Sequence, residues 1–74
     1  MRCEIKFHWD AESAVWIATS KDVPGLILES GSFDALVERV KQVVPELIEL
    51  NGQKAVDIRL SYSTEREDLV PVYG

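Results

Sequence analysis

Seventy-four residues make one domain, because a chain this short cannot divide into two independent cores. The apolar fraction of 46% and the charged fraction of 28% are those of an ordinary folded chain, which excludes a disordered one. The formal charge of −5, with eight Lys and Arg spread singly along the chain, disfavours direct nucleic-acid binding, which draws on clustered cations.

The first residues alternate. Cys3, Ile5, Phe7 and Trp9 point one way and Glu4, Lys6 and His8 the other, so residues 3–9 predict a strand with one buried face. This alternation leaves no continuous apolar stretch for a signal peptide, and the apolar run 14–18 is far too short to span a membrane. Cys3 is the single cysteine, so no intrachain disulfide forms and a reducing, cytoplasmic location is expected. Residues 10–13 read as a polar hairpin loop.

Residues 14–20 predict a second strand, apolar on both faces: Val15, Ile17 and Thr19 against Ala14, Trp16 and Ala18. Val23-Pro24-Gly25-Leu26 suits a type II turn, with Pro presetting the second position and Gly accepting positive φ at the third. A short third strand over 26–30 follows.

Ser32 is the expected N-cap of a helix, with Asp34 favourably placed in its first turn. Phe33, Leu36, Val37, Val40, Val44, Leu47 and Ile48 form an apolar stripe along one helical face. Pro45 predicts a kink, or a stop and restart, and Asn51-Gly52 supplies the exit. Residues 54–63 alternate again, with Val56, Ile58, Leu60 and Tyr62 on one face, as a fourth strand. The charged run 65–68 and the apolar end 69–73 complete the chain, the latter a candidate to add to a sheet edge as an outer strand.

The expected architecture is α+β, in the order β-β-β-α-β. One helix, kinked near Pro45, packs on one face of a four-stranded mixed sheet. Residues 1–63 form the domain and 64–74 a C-terminal tail. The last strand returns parallel to the first, beside it at the sheet edge. The helix covers Ile5, Phe7, Ile17, Leu26, Leu28, Ile58 and Leu60. The uncovered face is expected to show Trp16, Ala18 and Ile27 among Lys6, His8, Glu29 and Arg59, an apolar island suited to contact with another protein.

Catalytic constellations are sparse. A two-metal centre needs converging carboxylates, yet Glu4 is expected on the sheet face opposite Asp34 and Glu38 of the helix. Asp10 and Glu12 fall in the hairpin loop, where nothing beside them separates their acidities. His8 and Cys3 lie on opposite faces of one strand, which suits neither a metal site nor a nucleophilic pair. Trp16, Tyr62 and Tyr73 could stack on bases, but without clustered Arg or Lys the main energy of such binding is missing. No enzyme activity, cofactor or metal is expected.

The strand Val15-Trp16-Ile17-Ala18-Thr19-Ser20, the turn Asp22-Val23-Pro24-Gly25-Leu26 and the helical Pro45-Glu46-Leu47 before Asn51 resemble the HicB-like antitoxin superfamily. The resemblance covers roughly residues 4–63, and it is closest to a short branch of that superfamily. It implies a fold of the kind derived above and a role in gripping a HicA-like toxin, a small basic protein that cleaves RNA. Better-known members carry a further C-terminal DNA-binding module, for which the residues after the last strand are too few. The function implied is a protein-binding module that sterically inhibits such a toxin, and Trp16, Ile27, Glu29 and Asp22 are the expected partner-contacting residues. Self-association of so small a domain is expected as well. Two further readings stand beside this one: a free-standing homo-oligomer with a ligand of its own, and a vestigial nuclease of the RNase H type, whose sheet the superfamily partly shares.

Overall fold

A computed structural model describes residues 1–74 throughout. Four strands, β1 (Arg2–Asp10), β2 (Val15–Thr19), β3 (Ile27–Ser30) and β4 (Arg59–Glu65), and one helix, α1 (Phe33–Leu50), occur in the order β-β-β-α-β. The sheet order is β3-β2-β1-β4. β1 pairs antiparallel with β2 and parallel with β4, so the sheet is mixed and the crossover through α1 returns β4 beside β1.

Local chemistry sets the joints. The Leu26 amide donates to the Val23 carbonyl at 3.1 Å, and Gly25 sits at φ +87°, closing the expected type II turn. Ser32 caps α1, its hydroxyl accepting from the Ala35 amide at 3.2 Å. At the far end, Gly52 takes φ +76° and the Gly52 and Gln53 amides donate to the Glu49 and Ile48 carbonyls. These paired bonds are a Schellman stop, in which a glycine with positive φ satisfies the last carbonyls. In the hairpin loop, the Asp10 carboxylate accepts from the Glu12 and Ser13 amides.

Leu36, Val40, Val44 and Ile48, four apart, are the buried spine of α1. They pack on Cys3, Ile5 and Phe7 of β1, Ala18 of β2, and Val23 and Leu26 of the turn. Every buried residue belongs to this one cluster, and none is polar or charged. The helix neither stops nor restarts at Pro45, which lies inside it on an exposed flank. There the carbonyl of Lys41, an exposed residue, has no helical amide to accept from, because Pro45 carries none. Val44 keeps its helical place because its side chain is fully buried.

Two expectations are corrected. The fourth strand covers Arg59–Glu65 rather than 54–63, because Arg59 already pairs with Arg2 at the start of β1. Residues 54–57 therefore have no strand to lie against, and Val56 is fully exposed. The second correction concerns the faces of β2. Ala18 lies opposite Phe7 and Trp16 opposite Trp9, which places Trp16 and Ala18 under the helix and turns Ile17 to the open face.

Candidate functional site

The helix packs on one side of the sheet, its backbone nearest β2 and β3 and its side chains reaching β1, and the other side carries no layer. Strand register defines what that open face shows. His8, Ile17 and Glu29 stand side by side across three strands, as do Lys6, Thr19 and Ile27 in the next row. Val15 extends the apolar line along β2, and Ile27, at 72% exposure, is its most accessible member. The result is a narrow apolar strip, Val15, Ile17, Thr19 and Ile27, bordered by Lys6, His8 and Glu29. Lys6 is tied to Glu65 at 3.2 Å and Lys21 lies 3.9 Å from Glu4. These exposed pairs each contribute at most about 1 kcal/mol.

Of the four expected contact residues, the structure brings Ile27 and Glu29 onto the open face and leaves the other two elsewhere. Trp16 belongs to an aromatic chain on the helix side. It meets Trp9 at 5.4 Å and Phe33 at 5.2 Å, and Phe33 meets Phe7 at 4.9 Å. Phe7 in turn meets Tyr62 at 5.5 Å, so five rings run in edge-on and tilted contacts along one side of the sheet. The Arg66 guanidinium caps this chain, 4.2 Å above the Trp9 ring.

Asp22 has a structural task. Its carboxylate accepts from the Glu4 amide at 2.8 Å, while the Ser20 hydroxyl donates to the Glu4 carbonyl at 2.6 Å. β2 has ended at Thr19 by then, so these two side chains take over its pairing with β1. Ile17 and Thr19 are open-face residues that sequence reasoning missed. A strand apolar on both faces carries no periodic signal to say which face is inward.

The groups weighed for chemistry stay apart. No three His, Cys, Asp or Glu side chains approach closely enough to share a metal ion. Glu4 is on the open face, whereas Asp34 is in the first turn of α1 on the other side, and Glu38 pairs with Lys41 at 3.3 Å. Cys3 is fully buried, and that burial, with the nearby charge of Asp22 second, raises its thiol pKa above the ordinary value. A thiol so placed behaves as a small apolar group rather than as a nucleophile. A shallow cleft of about 470 Å³ opens where the open face meets the root of the tail, lined by Lys6, His8, Trp9, Thr19, Glu65 and Arg66. No helix is long and apolar enough to cross a membrane.

A family model described as a domain of unknown function, DUF1902, matches residues 2–73. The chain belongs to the DUF1902 family. Among solved structures, the crystal structure of hypothetical protein TTHA1013 from the extremely thermophilic bacterium Thermus thermophilus is similar. The two share 32% identity and superpose with a TM-score of 0.81, covering 95% of this chain and all of that one. The sheet-and-helix architecture is thus found in a crystal structure as well. No curated protein matches the chain.

Proposed function

We propose that this DUF1902 domain is a protein-binding module of the antitoxin kind, a HicB-like domain that occludes a small basic RNA-cleaving protein. The observation that carries the reading is the uncovered sheet face. Half-buried Val15, Ile17 and Thr19 and exposed Ile27 line the sheet face that carries no layer, in a domain whose other sheet face is closed by α1. Exposed apolar strips bordered by polar side chains are the usual material of protein interfaces. The net charge of −5 steers a basic partner toward the domain and would speed its docking. Steric inhibition needs no catalytic group on the inhibitor, which agrees with the dispersed acidic residues.

The contacts proposed here are those of the uncovered face. Ile27 and Glu29 remain, Ile17 and Thr19 join them, and Trp16 and Asp22 serve to build the domain. The test is capture of the partner from the native cells by the tagged chain, followed by an RNA-cleavage assay. The partner should cleave RNA once released and fail to cleave it when the domain is added back. A captured partner that cleaves equally well with the domain bound would overturn the inhibitory reading.

A further inference from the structure

The tail leaves the body of the protein with apolar side chains and nowhere in its own chain to put them. Leu69, Val70, Val72 and Tyr73 are 100%, 74%, 93% and 89% exposed, and residues 66–74 carry no regular structure. The long axis of the molecule is 58 Å, whereas its longest strand, nine residues, spans only about 30 Å. The radius of gyration is 14.8 Å, against about 11 Å for a compact chain of this length. A segment this apolar and this exposed is a poor solution for a lone domain.

β4 offers a matching edge. It is the outer strand beside β1, seven residues long, with no segment paired on its far side. The helix backbone runs nearest β2 and β3, so the helix side of the outer strand β4 is thinly covered: Tyr62 is 43% exposed and Leu60 half-buried. The opposite edge is less inviting. β3 has four residues, and Arg39 of the helix already donates to the Glu29 carbonyl at 3.4 Å.

The strand parity of β4 carries on into the tail. Leu60 and Tyr62 face the helix side, and Arg66, on the same parity, lies over Trp9 on that side too. An extended tail would therefore present Val70 and Val72 to the helix side, and Leu69 and Tyr73 to the open face. We propose that the chain forms a twofold dimer in which β4 and its tail pair antiparallel with the same segment of a second copy, the axis passing beside Arg66. In that register residues 67–73 of one copy lie along residues 59–65 of the other. Val70 then stands against Tyr62 of the second copy and Val72 against Leu60, apolar on apolar. Tyr73 reaches Arg59 across the open side.

Pro71 tolerates the arrangement because the tail is paired on one flank only. The same patch serves on both copies, as closed twofold symmetry requires. Two exchanged tails and two covered edges bury an area on the order of the ~1,600 Å² of a standard stable interface. The dimer uses the β4 edge and leaves the open-face strip free, so it stands independently of the antitoxin reading.

The test is a mixed cross-link on the full-length chain. Tyr62→Cys and Val70→Cys variants are prepared separately, combined during refolding and oxidised, with Cys3 buried out of reach. The expected product is a covalent dimer that forms in the mixture and in neither variant alone. Sedimentation of the wild-type chain should give twice the monomer mass, and V70D/V72D should halve it with circular dichroism unchanged. No cross-link in the mixture with a monomeric wild type would overturn the proposal. So would an intrachain disulfide in the doubly substituted chain at monomer mass, which would mean that the tail folds back on its own β4.

Discussion

The side-chain amide of Asn51 donates to the carbonyl of Pro24 at 3.2 Å, joining the end of α1 to the Pro-Gly turn 27 residues earlier. Leu47, one helical turn before Asn51, comes within 3.9 Å of where a Cβ on Gly25 would sit. Pro24-Gly25-Leu26 and Leu47 through Asn51 are thus parts of one joint. This joint fixes the direction in which the chain leaves the helix toward β4.

Gly25→Ala is expected to destabilise the domain by roughly 1–2 kcal/mol, because φ +87° strains any residue with a Cβ. Space is not the cause, since 3.9 Å is ordinary contact. Asn51→Ala should cost about 0.5–1 kcal/mol, the net worth of one exposed hydrogen bond. Urea denaturation of each variant checks both values. An unchanged midpoint for Gly25→Ala would show that the turn adopts another geometry.

Trp16→Ala is expected to destabilise by about 2–3 kcal/mol, less than the roughly 3–5 of a fully buried large aromatic, since Trp16 is half-buried. Trp16→Phe should recover most of the loss by keeping the contact with Phe33. Thermal melts of the two variants decide the matter. A Trp16→Ala melt equal to wild type would return Trp16 to the open face.

Cys3 should make stability fall at alkaline pH. Its raised pKa means the folded thiol keeps its proton to higher pH than the unfolded chain does, for which about 8.5 is ordinary. Below that value both states hold the proton and Cys3 adds no slope. Above it the unfolded chain loses its proton first, the folded state holds more protons, and stability drops as pH rises. Urea midpoints from about pH 7 to 10 should therefore fall faster for wild type than for Cys3→Ala. Parallel curves would remove Cys3 as the cause.

Much of this was legible in the sequence, wherever local chemistry decides the outcome. The alternation of Cys3 to Trp9, the Ser32 cap and the type II turn each predict their own geometry, and together they imply the β-β-β-α-β order. The inward face of β2 was not legible. Val15-Trp16-Ile17-Ala18-Thr19 offers apolar residues on either side, and only pairing to β1 settles the choice. Ala18 stands beside Phe7, where the core has room for a methyl group, and Trp16 fills the end beside Phe33. The start of β4 was hidden for a similar reason. Val56 and Ile58 alternate correctly, but β1 has no residues left to pair with that stretch.

Ile27→Glu separates binding from folding. Ile27 is 72% exposed, so its replacement should change stability by no more than about 0.5 kcal/mol. It would nonetheless place a charge at the β3 end of the apolar strip, beside Thr19, and chemical denaturation can confirm that the fold is unharmed.

The most direct measurement is quantitative affinity capture from the native cells, with wild type and Ile27→Glu run side by side. Wild type should bring down one small basic protein at equal stoichiometry, and Ile27→Glu should lose it while keeping its own fold. Capture of that protein unaffected by the substitution, or recovery of nothing but further copies of the chain, would contradict the open face as its binding surface.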